Sequence, residues 1–329
     1  MSRKQLSKQQ LARIQHQQNA HARALEADAD ATGPTCTALV LSRFGKQLEV
    51  QVLDGDLAGQ VLRCFQRSNL EALVSGDRVV LQPGEPTAVV VAALPRRSLL
   101  QRHGQSGERK VVAANIDTMV IVIAPQPPPH YNLIDRYLVA AETAGFRPLL
   151  LLNKSDLDRD ADTTATLDAL LELYASLGYA TLRCSSKRGD GLAQLQELLS
   201  GTTTIFVGQS GVGKSALVNA LLPGVNTLEG TLSEAEDKGR HTTTAARLFH
   251  LPGGGQLIDS PGIREFGLGH IDARQVLEGF VEFRPWLGTC RFRDCRHEGE
   301  IGCALQEALA NGAIDPRRMQ SFRLIRDSL

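Results

Sequence analysis

The chain has 329 residues, which is long for one domain and suits two or three. Its 36 Lys and Arg balance 36 Asp and Glu, so overall charge names no polyanionic partner, and local clusters must carry any such argument. Hydrophobic content of 42% is that of a soluble globular protein, no run of eighteen apolar residues predicts a membrane span, and no apolar leader core is seen; six cysteines in such a cytoplasmic-looking chain read as metal ligands or buried thiols rather than disulfides.

Residues 1–34 form a polar, Gln-rich arm, basic through Arg3, Lys4, Lys8, Arg13 and Arg23. Such a segment is a solvated tail that can order on a phosphate-rich partner. Residues 35–97 change pattern. Five short strand candidates begin at Ala38, Leu48, Gln60, Arg78 and Ala88, separated by Gly45, Asp54-Gly55, Ser75-Gly76-Asp77 and Pro83-Gly84. Five short strands in so few residues predict a small closed barrel of OB type. Arg96, Arg97, Arg102, Arg109 and Lys110 then read as a basic linker, either solvated or facing RNA phosphate.

From Asn115 onward strand and helix patterns alternate. Met119–Ala124, Pro148–Leu152, Ala180–Cys184 and Thr204–Val207 are buried-strand runs, and helical spacing covers 133–144, 167–177 and 192–199. Alternation of this kind predicts a mainly parallel sheet with helices on both faces. The fourth strand runs into Gly208-Gln209-Ser210-Gly211-Val212-Gly213-Lys214-Ser215-Ala216, a G-x-x-x-x-G-K-S phosphate loop opening a helix. Backbone N–H groups and the helix terminus would cradle phosphate, Lys214 would reach the β- and γ-phosphates, and Ser215 would hold Mg²⁺.

The second strand ends in Asn153-Lys154-Ser155-Asp156. A carboxylate there can accept from guanine N1–H and N2–H₂, a donor pair that adenine lacks. Lys154 can lie along the base, and Asn153 can bond N7 and brace the phosphate loop. Ser185-Ser186-Lys187, after the third strand, can offer a backbone N–H to guanine O6. Downstream, Asp259-Ser260-Pro261-Gly262 places Asp259 to reach Mg²⁺ through water and the Gly262 N–H to meet the γ-phosphate. Between the two lies Gly239-Arg240-His241-Thr242-Thr243-Thr244, where Thr243 is the first choice among three threonines as a switch ligand to Mg²⁺. Ile263 stands where many GTPases carry a water-orienting glutamine, so unassisted hydrolysis is expected to be slow, and His241 is the available side chain to position water.

The guanine motif therefore precedes the phosphate loop, the reverse of the ordinary GTPase order. With Gly-Arg-His-Thr-Thr-Thr at 239–244 and Asp-Ser-Pro-Gly-Ile-Arg-Glu-Phe at 259–266, the chain resembles the circularly permuted small ribosomal subunit biogenesis GTPases of bacteria, the RsgA or YjeQ type, over almost its whole length. The resemblance implies a multidomain protein. An arm (1–34) precedes an OB-fold barrel (35–97), a circularly permuted α/β P-loop GTPase domain (98–268) and a C-terminal helical zinc-binding domain (269–329). It implies a monomer that hydrolyses GTP to GDP in late maturation of the small subunit, stimulated by that subunit, with the subunit, its rRNA and other assembly factors as partners. A protein-docking GTP switch and an RNA-binding module with a vestigial site are the competing classes; intact Lys214, Ser215, Asp259 and Asp156 speak against the latter.

Cys290, Cys295, His297 and Cys303 stand as C-x₄-C-x-H-x₅-C, three thiolates and an imidazole that would close a tetrahedral structural Zn²⁺ site. Asp315-Pro316 caps a helix decorated by Arg317, Arg318, Arg323 and Arg326 with Phe322 among them. That helix reads as a solvated charged face, and the resemblance favours an RNA-facing one. The short path from Asp259 to the cysteines predicts that nucleotide state turns the zinc domain as a lever.

Overall fold

Alternation builds the N-terminal barrel. In β2 (Gln47–Val52) Leu48, Val50 and Val52 point inward and the residues between them outward. β1 (Cys36–Phe44) pairs antiparallel with β2, β2 with β3 (Val61–Gln66), and β4 (Arg78–Gln82) with both β1 and β5 (Ala88–Ala93), while β3 and β5 pair in parallel. The circuit closes on itself and removes exposed strand edges. The computed structural model describes residues 34–84, 87–103, 109–157, 159–224, 246–259 and 271–329. The basic arm, His241, Thr243, Gly262 and Ile263 lie outside them.

The linker expected at 96–111 is instead a hairpin, β6 (Leu99–His103) against β7 (Arg109–Ala114). Leu100, Ala113 and Ala114 are buried. Arg96 is a structural residue rather than a hinge cation: Nε and Nη2 donate to the two oxygens of buried Asp77 at 2.7 and 2.8 Å. A planar guanidinium matched to a carboxylate fork gives it that role.

Apolar runs build the central sheet. β8 (Thr118–Ile123), β9 (Arg147–Leu152), β10 (Ala180–Arg183), β11 (Thr203–Val207), β12 (Arg247–His250) and β13 (Gln256–Asp259) follow in sequence. In space the order is β10-β9-β8-β11-β13-β12, parallel except for β12. Met119, Ile121 and Ile123 pack on one face with α1 (Tyr131–Ala144) and α2 (Ala161–Ser176). Val120 and Val122 pack on the other with α3 (Leu192–Leu199) and α4 (Lys214–Leu221). Because both faces are covered, these strands read as continuous apolar runs rather than alternating ones. At β12 the sheet continues into the barrel, Arg247 opposite Ser42 of β1.

The C-terminal unit comprises α5 (Ala273–Gly279), a 3₁₀ turn (Val281–Trp286), α6 (Ala304–Ala310) and α7 (Pro316–Arg326). Asp315 caps α7 by accepting from the Arg317 N–H at 2.8 Å, as its sequence predicts. The charged-face reading of α7 fails at two positions. Phe322 packs edge-on to Phe280 and Phe283, and Arg318 is wholly buried. Arg318, Phe322 and Ile325 follow the i, i+4, i+7 stripe of the buried face. The guanidinium tolerates burial because Glu282 and Asp135 meet it there.

Candidate functional site

In open parallel sheets, ligands bind at the carboxyl ends of the strands, where the sheet's connections diverge. The ends of β9, β10 and β11 carry three of the predicted motifs, and the Asp259 motif starts at the end of β13. After β11 the chain turns at Gly208, with φ at 138°, and passes so close to β8 that an added Cβ would sit 2.2 Å from Val122 O. Only glycine fits, for space and conformation alike. Gly213, at φ 93°, is constrained in the same way by Asn153, whose Nδ2 would lie 2.4 Å from a Cβ. α4 then opens with Lys214, whose ammonium donates to Gly208 O and Gln209 O at 2.8 and 2.7 Å. The loop thus curls around its own lysine, with Ser215 and Ala216 following in the first turn of α4.

Asn153 is buried at the end of β9 and bridges two motifs. Its Nδ2 donates to Val212 O at 2.9 Å, and its Oδ1 accepts from the Ser186 N–H at 3.1 Å. The brace expected of Asn153 is therefore present. Lys154 takes a left-handed conformation, φ 58°, and its ammonium donates to Gln126 O and Gly211 O at 2.9 and 2.6 Å. That stretches the aliphatic stem from the end of β9 toward the Gly208–Ser215 loop. Ser155 N–H donates to Cys184 O, tying the β9 end to the β10 end.

Asp156 accepts from the buried Ser185 hydroxyl at 2.6 Å. That bond, with Lys187 and Arg188 nearby, holds its carboxyl below the usual carboxylate range. An ionised, oriented acceptor pair is what guanine N1–H and N2–H₂ require. Sequence reasoning assigned Ser185 a backbone part and missed its hydroxyl. It also missed the Pro-rich stretch after β8, where Gln126 supports Lys154 and Pro127 lies against Gly211. The signal available was A-P-Q-P-P-P directly after a buried strand. Asp259 ends β13, next to β11.

Cys290, Cys295, His297 and Cys303 converge, their ligand atoms all within 4.8 Å of one another. His297 Nδ1 lies 3.6, 3.6 and 3.4 Å from the three sulfurs. Tetrahedral zinc, with Zn–S of about 2.3 Å and Zn–N of about 2.0–2.1 Å, sets N and S about 3.5 Å apart, so the donor set fits that ion. His297 reaches inward from a left-handed conformation, φ 62°, and burial lowers its pKa, favouring the neutral imidazole a metal needs. The Glu300 carboxylate accepts from the N–H groups of Arg296, Glu298 and Gly299, which shapes the knuckle, and its own backbone N–H with those of Arg296 and Glu298 holds its pKa at about 2.

A family model described as RsgA GTPase matches residues 93–269. "Small ribosomal subunit biogenesis GTPase RsgA" of Ectopseudomonas mendocina is 56% identical over 100% of this chain and 98% of its own, and that of Azotobacter vinelandii is equally similar. Among solved structures, YjeQ from Thermotoga maritima superposes with a TM-score of 0.75 at 29% identity, covering 90% of this chain and 99% of its own. YloQ, "a circularly permuted GTPase", gives 0.71 at 26%, covering 91% and 98%.

Proposed function

The chain belongs to the RsgA family of circularly permuted GTPases and is a GTP hydrolase, and from that premise we propose that it binds the small ribosomal subunit and acts in its late maturation, its turnover stimulated by the subunit. The observation that carries the reading is the joining of Asp156, Asn153 and the phosphate loop into one hydrogen-bonded unit despite their reversed order in the chain.

In this reading Asp156 reads the guanine edge, Lys154 lies along the base, and the Ser185–Lys187 segment meets O6. Gly208–Ala216 wrap the phosphates. Lys214 shifts from the loop carbonyls to the β- and γ-phosphates and offsets charge that builds in transfer. Mg²⁺ is held by Ser215 and Thr243, with Asp259 acting through water, and Gly262 meets the γ-phosphate. His241 orients the attacking water, because Ile263 offers no hydrogen bond. Cys290, Cys295, His297 and Cys303 hold one structural Zn²⁺. The four-part division at 34, 97 and 268, a monomeric state and a cytoplasmic site of action complete the proposal. Among the described residues no helix is long and apolar enough to cross a membrane.

The test is GTP turnover with and without purified small subunits. Stimulation of wild type, reduced in His241→Ala at unchanged GTP affinity, is the expected result; turnover indifferent to subunits would overturn the partner. Asp156→Asn should move preference from guanine toward xanthine nucleotides, and a variant still selective for GTP would refute the base assignment.

A further inference from the structure

Helix α1 stands between the phosphate loop and the zinc-bearing unit and touches both. On one side, Ile134 and Tyr137 are buried and share a narrow crevice with Gly208, Gln209 and Val212. The segment leading into α1 supports the same loop, through the Lys154 ammonium that joins Gln126 O to Gly211 O. Gly208 has no slack, packed as it is on the Val122 backbone.

On its other side α1 is gripped by the C-terminal unit. Asp135 pairs with Arg318, both wholly buried, and accepts from the Tyr174 hydroxyl of α2 at 2.6 Å. Arg318 also donates to both oxygens of Glu282, at 2.6 and 3.0 Å, and lies over the Phe280 ring at 4.4 Å. Asn132 Nδ2 donates to Ser321 O at 3.4 Å, and Arg284 pairs with Glu142 at 2.6 Å. α5 crosses α1 so closely that a Cβ on Gly279 would meet Val139 Cγ1 at 2.9 Å and Val139 Cα at 3.1 Å.

Asp135 and Tyr137 are two residues apart on one rigid helix. A shift of α1 on the Arg318 side therefore moves Tyr137 against Gly208. We propose that Arg318 is a positioning residue for the nucleotide: seating of the zinc-bearing unit on α1 sets the phosphate loop, so the grip on the phosphates depends on that unit being docked. This rests on the reading of Gly208–Ser215 as the phosphate loop. The route avoids Asp259–Gly262 altogether. Coupling is reciprocal, so a bound nucleotide tightens the docking by the factor by which docking tightens the nucleotide. A partner that pulls the zinc-bearing unit away from α1 would thereby expel GDP.

The experiment uses the full zinc-loaded chain and the release rate of a fluorescent GDP. Arg318→Lys keeps the charge but loses the planar fork; Gly279→Val drives a wedge between α5 and α1 without touching a charge. Both should speed GDP release by about tenfold or more. Zinc content and the preference for GDP over xanthosine diphosphate should stay unchanged, since Asp156 is untouched; a general loss of fold would abolish both. Release within about twofold of wild type in these variants overturns the proposal. If a substituted chain does not accumulate folded, chelating zinc from the wild-type chain unseats the unit without substitution, and the same two results are read the same way. A wild-type chain that fails to bind fluorescent GDP removes the phosphate-loop reading itself, and this inference with it.

Discussion

The barrel and the zinc-bearing unit flank the same GTPase sheet but are attached by different elements. The barrel keeps its own apolar core, with Ala38, Val40, Leu48, Val50 and Val79 all buried inside the strand circuit. It meets the sheet through hydrogen bonds and apolar packing together: the β1–β12 pairing, Ser75 Oγ at 2.9 and 2.7 Å from Leu41 O and Ala246 O, Asn115 between Arg97 N–H and Gly76 O, and Leu39 and Leu41 of β1 in one cluster with Ile121, Leu248 and Ile258. The zinc-bearing unit shares its core with α1, whose Val139 and Ala140 belong to the same cluster as Phe280, Phe283 and Phe322. It also sinks a charged side chain into the joint. An apolar joint with a buried ion pair resists opening until the whole interface parts. The barrel is thus joined by a continuous sheet, and the C-terminal unit by an apolar interface with a buried ion pair that keeps it seated. That qualifies the lever expected from the short path after Asp259.

Zinc removal should sharpen the contrast most. Structural zinc supplies about 10–16 kcal/mol in small metal-folded peptides at neutral pH. Chelation should therefore melt the helical signal of residues 271–329, while amide protection in β1–β5 is unchanged. Equal loss of protection in barrel and zinc-bearing unit would mean the two are not independent.

Next in size is Arg318→Met. It leaves Asp135 and Glu282 buried without their partner, at a cost of about 3–5 kcal/mol. The Asp135 carboxyl, already pushed up by burial against the pull of Arg318, should then take a proton. Adding Asp135→Leu and Glu282→Gln should recover most of the loss. The matching change at the barrel joint, Ser75→Ala, should cost only about 1 kcal/mol. Denaturant midpoints of the variants measure the difference directly.

Much of this architecture could be read from the chain. Short apolar stretches punctuated by Gly45, Asp54-Gly55, Ser75-Gly76-Asp77 and Pro83-Gly84 located all five barrel strands, and longer apolar runs alternating with helical spacing located the parallel sheet. Spacing alone singled out Gly208–Ser215, Asn153–Asp156 and the Cys290, Cys295, His297 and Cys303 set that the fold brings together, because backbone turns and coordination geometry demand fixed intervals. What escaped depended on distant partners. Arg318 looks like a surface cation until Asp135, 183 positions earlier, is folded against it. The β6–β7 hairpin was hidden by the charges of Arg102, Arg109 and Lys110, which break the alternation that marks a strand. Ser185 was assigned a backbone role because a sequence does not say where a hydroxyl turns.

The smallest effect tests the joint where the two sheets meet. Arg247, half-exposed on β12, pairs with Glu49 of β2 at 3.1 Å, and Glu49 also accepts from buried Ser42 at 3.2 Å. This is the ion pair that ties the barrel to the GTPase sheet among the described residues at that edge. Solvent screens such a pair, and exposed pairs contribute about 0–1 kcal/mol. Arg247→Gln should therefore leave the denaturant midpoint nearly unmoved and lose its small effect in high salt. Its consequence should lie in orientation. With the pair gone, the β1–β12 pairing, the hydrogen bonds of Ser75 and Asn115 and the packing of Leu39 and Leu41 hold the barrel, and X-ray scattering should record at most a slightly broader spread of barrel positions. A variant with wild-type scattering would place the stiffness of this joint in the β1–β12 pairing and the Ser75 and Asn115 hydrogen bonds. A destabilisation near that of Arg318→Met would erase the distinction between the two joints.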